Sequence, residues 1–176
     1  MNLKLKRTPG IYVVGFMASG KSTVGRHLAH RLGWNFYDTD HEIEAAEKVP
    51  IAEIFSTRGE AEFRQIETRI IRQHLQWIER GRPAVIALGG GAFAEPANRE
   101  LLQDNGIAVW LDCPFDVVKR RVGAGLDRPL AQDPQRFATL FETRREAYGL
   151  ADIRITIESD DPEVTVEEIV QHPLLR

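Results

Sequence analysis

Two hydrophobic rhythms alternate along the chain. Gly10–Gly15 (GIYVVG), Ala84–Leu88 (AVIAL) and Ile107–Leu111 (IAVWL) are short apolar runs rich in β-formers, and they read as strands buried on both faces. Asn35–Asp40 (NFYDTD) reads as a further strand that ends in carboxylates, and Ile153–Ile157 (IRITI) alternates as an edge strand does. Between these runs the apolar residues recur at helical spacing. Lys21–Leu32 carries Val24, Leu28 and Leu32 and stops at Gly33. His41–Arg80 carries Ile43, Ile54, Phe63, Ile66, Ile70 and Ile78, and Pro50 and Gly59 divide it into at least three helices. Pro96–Gln103, Pro114–Val122, Pro134–Tyr148 and Pro162–Val170 predict four more, with Gly123–Ala131 as a loop.

Strands that alternate with helices, with unbroken apolar runs in the middle strands, predict an α/β fold: a five-stranded parallel sheet in a three-layer α/β/α arrangement. Such sheets bind ligands beyond the carboxyl ends of their strands. Three of the first four strands end in loaded chemistry: a glycine-lysine loop, the Asp38/Asp40 pair, and Gly89-Gly90-Gly91. These should meet at one rim.

Composition narrows the function. The 176 residues suit one domain, residues 1–176. A net charge of −3 favours neither a nucleic-acid nor a membrane-surface partner, so a bound anion must be held by local positive charge. Cys113 is the single cysteine, which excludes an intramolecular disulfide framework and fits a reducing, cytoplasmic setting. Met1–Pro9 lacks the apolar core of a signal peptide, and no apolar run reaches bilayer length. The histidines show no zinc-site spacing, Cys113 reads as an inert thiol, and Trp34, Trp77 and Trp110 read as packing residues.

Gly15–Ser22 fits G-x-x-x-x-G-K-[ST] between a buried strand and a helix. Such a turn leaves backbone N–H groups pointing inward at the positive end of a helix dipole, where they bind phosphate oxygens. Ala18, Ser19, Gly20, Lys21, Ser22 and Thr23 are therefore candidate contacts for the phosphates of ATP or GTP, with Lys21 near the β and γ groups and Ser22 on Mg²⁺. Asp38 and Asp40, two apart on a strand, would share a face. One could orient a magnesium water and the other accept a hydrogen bond from a substrate hydroxyl. Arg64 either lies on a solvated helix face or is aimed inward by the docking of Phe63. The triple glycine suits close approach of a ligand to backbone. Gly123–Pro129, flanked by Arg120, Arg121 and Arg128, reads as a basic flap able to exclude water, with Arg128 on the transferring phosphoryl group when it closes.

Together "GFMASGKSTVGRHLA", "FYDTD", "IAEIF…RGEAEFRQIE", "VIALGGG", "RPL" and "RREAY" closely resemble the shikimate kinases, in the nucleoside-monophosphate-kinase-like branch of P-loop proteins, from about Gly10 to Ile157. The resemblance implies a P-loop kinase fold with a helical substrate-binding insertion (41–66) and a mobile lid (121–131). It implies transfer of the γ-phosphate of ATP to the 3-hydroxyl of shikimate, on the route to chorismate and the aromatic amino acids, with Mg²⁺ as cofactor and a monomeric enzyme. By resemblance Lys21 and Ser22 serve phosphate and magnesium, Asp38 acts on the magnesium shell, and Asp40 binds the reacting hydroxyl as the candidate base. Arg64, Gly90, Gly91 and Arg144 form the shikimate clamp, Arg121 stacks on adenine, and Arg128 is the lid arginine. The chain departs from the usual pattern at Ala18, where the family has glycine, at Arg145-Glu146-Ala147-Tyr148, where x-Pro-Leu-Tyr is usual, and at "RPLA" in place of "RPLL". The alternatives are a related P-loop kinase for another polyol acid or a nucleotide, and a nucleotide-sensing module without catalysis.

Overall fold

The computed structural model describes residues 10–123 and 133–176. Strands β1 (Gly10–Val14), β2 (Asn35–Asp38), β3 (Ala84–Ala87), β4 (Ile107–Asp112) and β5 (Ile153–Thr156) form one parallel sheet in the order β2-β3-β1-β4-β5. The central strand, β1, bonds to β3 on one side and β4 on the other and is buried at every position, which is why its sequence is apolar throughout. At the edge, β5 is buried at alternate residues, as IRIT reads.

The helices are α1 (Lys21–Leu32), α2 (Thr39–Glu47), α3 (Ile51–Glu79), α4 (Pro96–Gln103), α5 (Phe115–Gly123), α6 (Pro134–Tyr148) and α7 (Pro162–Gln171), with a 3₁₀ turn at Ala92–Ala94. The β1–α1–β2 crossover steps one way along the sheet and β3–α4–β4 steps the other. Right-handed crossovers in opposite directions put their helices on opposite faces, so the sheet is sandwiched between helical layers. No described helix is long and apolar enough to cross a membrane.

The expected strand Asn35–Asp40 ends at Asp38. There the Asp38 carboxylate accepts hydrogen bonds from the Asp40 and His41 amides, at 3.1 and 3.3 Å, and caps α2. Asp40 therefore sits in the first turn of a helix, and the shared strand face expected for the two aspartates does not exist. The division of the following segment agrees with the sequence: α3 starts after Pro50 and is broken at Gly59, whose φ of 83° and ψ of 167° are not helical. Ile43, Ile54, Phe63, Ile66 and Ile70 close a small apolar core of their own, separate from the main core around the sheet. At roughly 1.5–3 kcal/mol for each buried side chain, this cluster fixes α2 and α3 against each other.

His74 on α3 is buried against Tyr37 and Trp77, with ring centroids 4.5 and 4.9 Å away. Burial lowers its pKa to about 4, so the imidazole is neutral and its 3.5 Å approach to Glu42 is not an ion pair. The unfolded chain takes up a proton at about pH 6.5, before the native state does, so stability present above that pH is lost on acidification toward pH 4. The loss through His74 between pH 7 and pH 5 is about 2 kcal/mol. His74→Phe removes this share: urea unfolding at the two pH values should show a smaller acid loss in the variant, and equal losses would contradict it.

Candidate active site

The strand register brings Val13, Ala87 and Asp38 into line, so the loop after β1, the cap of α2 and the triple glycine leave the sheet at one rim. The phosphate loop is held by Ser19 N donating to Phe16 O at 3.2 Å and by the Lys21 ammonium donating to the same carbonyl at 2.9 Å. Gly20 enters α1 in the left-handed region, φ 93°, and no side chain caps that helix. The first amide groups of α1 are thus left to an anion. Ser19 is buried, and Thr23 lies exposed on the first turn. Ala18, at φ 59°, holds a conformation that costs a residue with a Cβ about 1–2 kcal/mol.

The Ser22 hydroxyl donates to Asp38 Oδ2, while Asp38 Oδ1 caps α2. One carboxylate therefore ties the phosphate loop to the helix that carries Asp40. Between the two aspartates, buried Thr39 accepts from Gly89 N at 3.0 Å and reaches Ala87 O at 3.4 Å, fixing the start of α2 to the end of β3. Burial raises the Asp40 pKa, the Lys21 ammonium draws it back down, and the Asp38 and Glu44 carboxylates push it up again. Lys21 and Asp40 are electrostatic neighbours at the rim.

Helices α3 and α6 supply the cationic side, through Arg64 and Arg144. Arg64 turns inward, with a side chain 16% exposed, and Nη1 donates to the almost fully buried Glu67 at 2.8 Å. Burial raises the Glu67 carboxyl to about 7 against the pull of Arg64. Two glycines make room for these groups. A Cβ at Gly89 would lie 2.5 Å from Asp40 Oδ1 and 3.1 Å from Glu67 Oε2. A Cβ at Gly91 would lie 2.5 Å from Arg144 Nη1 and closer still to Arg64 Nη2. Both guanidinium groups therefore converge on the bare backbone of Gly91. Gly90, beside it, is held by the buried Tyr148 hydroxyl, which donates to its carbonyl at 2.5 Å. Two forked cations over an amide-lined floor suit a carboxylate.

Arg121 borders the phosphate loop from α5. It donates to Ala18 O at 3.0 Å and pairs with Asp160 at 2.7 Å. Arg128 and positions 124–131 of the expected lid lie outside the described residues. Among the described residues no cluster of three or more His, Cys, Asp or Glu side chains could hold a metal. The hydroxyl of Ser22 and carboxylate of Asp38 are hard oxygen donors, the type Mg²⁺ takes alongside nucleotide phosphates and waters.

The rim thus brings together Ala18, Ser19, Gly20, Lys21, Ser22, Asp38, Asp40, Arg64, Gly90, Gly91, Arg121 and Arg144. Sequence reading gave no role to Thr39, Glu67 or Tyr148. The signal for Glu67 was present: it lies between Phe63, Ile66, Ile70 and Ile71 on the apolar stripe of α3, where a carboxyl needs a reason to be buried.

The shikimate kinase family model matches residues 17–173. A shikimate kinase of Persephonella marina is 42% identical over 161 residues, covering 91% of this chain and 96% of the relative. Among solved structures, shikimate kinase from Aquifex aeolicus superposes with a TM-score of 0.81 at 38% identity, covering 92% of this chain and 94% of that one. Shikimate kinase from Acinetobacter baumannii, in complex with shikimate, gives 0.84 at 37% identity, covering 95% and 93%.

Proposed function

The chain belongs to the shikimate kinase family, and from that premise we propose how its own residues move the γ-phosphate of ATP to the 3-hydroxyl of shikimate, giving shikimate 3-phosphate and ADP. The observation that carries the assignment is the convergence of Arg64 and Arg144 on Gly91 at the same rim as Lys21 and Asp40.

The amides from Ala18 to Thr23 and the start of α1 take the ATP phosphates, and Arg121 takes the adenine side. Lys21 places its ammonium where charge shifts onto the leaving β-γ oxygen. Ser22 and Asp38 would hold Mg²⁺, directly and through water, and when bound the ion neutralises phosphate charge. Arg64 and Arg144 grip the shikimate carboxylate and fix the ring, with Glu67 holding Arg64 in its rotamer. Asp40 accepts the hydrogen bond of the 3-hydroxyl. As that oxygen bonds to the γ-phosphorus and the bridging P–O bond breaks, the hydroxyl proton passes to the Asp40 carboxylate. Burial raises the pKa of Asp40 and so its basicity, and the Lys21 ammonium pulls it back down. Arg128 would complete the charge on the phosphoryl group from the lid. We further propose that the enzyme is a monomer, because every residue in this scheme comes from one chain, and that it is cytoplasmic, in keeping with its lone buried thiol.

A coupled ADP-release assay with shikimate, gluconate and nucleoside monophosphates as acceptors tests this reading. Turnover should require shikimate, vanish with EDTA and return with added Mg²⁺. Turnover without shikimate would overturn the substrate assignment, and indifference to EDTA would overturn the metal.

A further inference from the structure

We propose that Arg145 is a positioning residue for shikimate: locked onto Asp112, it fixes the rotation of the C-terminal turns of α6 and so aims Arg144. The inference rests on the reading of Arg144 as half of the carboxylate clamp.

Consecutive helical residues point about 100° apart, so Arg144 and Arg145 leave α6 in different directions. Arg144 reaches Gly91. Arg145 runs to the carboxyl end of β4, where Nη1 bonds Asp112 Oδ1 and Nη2 lies 3.4 Å from Oδ2. Its guanidinium carbon sits 5.1 Å from the Trp110 ring centroid and 5.5 Å from that of Phe141. Asp112 is 5% exposed, and its other guanidinium partner comes from β5, where Arg154 Nε donates to Oδ2 at 2.8 Å. A buried carboxylate is costly to leave unpaired, so Asp112 holds Arg145 in one place.

The second anchor is Tyr148, four residues beyond Arg144 and therefore on the same face, bonded to the Gly90 carbonyl. Phe137 and Phe141 bury the earlier turns of α6 against Phe16 and Phe115, and Tyr148 ties its last turn to the glycine loop. Arg145, about 60° round the helix from Tyr148 and fixed to the sheet through Asp112, holds the C-terminal turns in one rotation beside Arg144 itself. Arg144 directly precedes Arg145 and lies one turn before Tyr148, and an error of about 1 Å at a substrate clamp is enough to cost binding and rate.

The test compares Arg145→Met with Arg154→Met, which strips the same carboxylate of a guanidinium without touching α6. Arg145→Met should raise KM for shikimate about tenfold, with KM for ATP and kcat within about twofold. Arg154→Met should leave both KM values in place, and Arg145→Met should add nothing in an Arg144→Ala background. A rise for both substrates, the same shikimate effect in Arg154→Met, or a lowered Tm with both KM values unchanged would each overturn the proposal. An Arg144→Ala variant with unchanged KM for shikimate would instead overturn the clamp on which it rests. Should Arg145→Met not fold, Arg145→Lys keeps the charge and loses the fork; KM for shikimate should rise several-fold, and an unchanged value overturns the proposal.

Discussion

Replacing Lys21 by alanine lowers kcat by about 10²–10³-fold while the protein stays folded. The side chain is half-buried at the first residue of α1 and is held to the Phe16 carbonyl, so its charge is placed before any nucleotide arrives. A preorganised charge acts most on the state in which negative charge is moving, which is why the loss falls on kcat more than on KM. A second consequence follows from Asp40. The Lys21 ammonium lowers the pKa of that carboxyl against the pull of burial, so removing it raises the pKa. If Asp40 must be ionised to accept the proton, the residual activity of the variant needs a higher pH, and the acid limb of its kcat profile moves up. ADP release at saturating shikimate across a pH series reads both effects. An unchanged kcat would remove Lys21 from the chemistry, and a large loss with an unmoved acid limb would separate it from Asp40.

Most of the architecture was legible because burial on two faces leaves a mark on sequence. β1, β3 and β4 could be placed from their apolar runs, and the glycine-lysine loop identified its own strand and helix. The step from Asp38 to Asp40 was not legible as a change of element. Phe36 and Tyr37 are β-formers, and Asp-Thr-Asp serves equally as a polar strand end or as a helix cap with its first turn. What decides it is Asp38 meeting Ser22 at the start of α1, a contact no periodicity encodes. Both readings put Asp40 at the rim, for different reasons.

Arg64 was ambiguous for a similar cause. Its direction depends on the break at Gly59 and on how Phe63, Ile54 and Ile43 close the small core between α2 and α3, which is tertiary information. Glu67 and Tyr148 were hidden differently. Each fits a bland local reading, a helix-face charge and a helix-end aromatic, and gains meaning only against Arg64 and Gly90 across the site. Local spacing thus located the groups proposed to face a ligand, while the groups that hold them in place became visible only when distant segments met.

The convergence on Gly91 leads to the second large effect. Gly91→Ala raises KM for shikimate about 10–100-fold, leaves KM for ATP near its original value and costs little stability. The added methyl would overlap the tips of Arg64 and Arg144, not backbone, and flexible tips can swing away. Gly91 itself has φ −95°, so alanine adopts its backbone without strain. The fold therefore absorbs the change, but the two guanidinium groups cannot both keep the positions from which they would grip one carboxylate. Arg64 also stays partly tethered by Glu67, so the displacement falls more heavily on Arg144, which the Arg145 anchor resists. Steady-state kinetics with each substrate varied in turn, alongside thermal unfolding of the same variant, separates the outcomes. A selective loss for shikimate with an unchanged Tm places both arginines on the acceptor. An equal loss for ATP and shikimate, or a fall in Tm that accounts for the whole effect, would mean that the glycine serves the fold and that the clamp lies elsewhere.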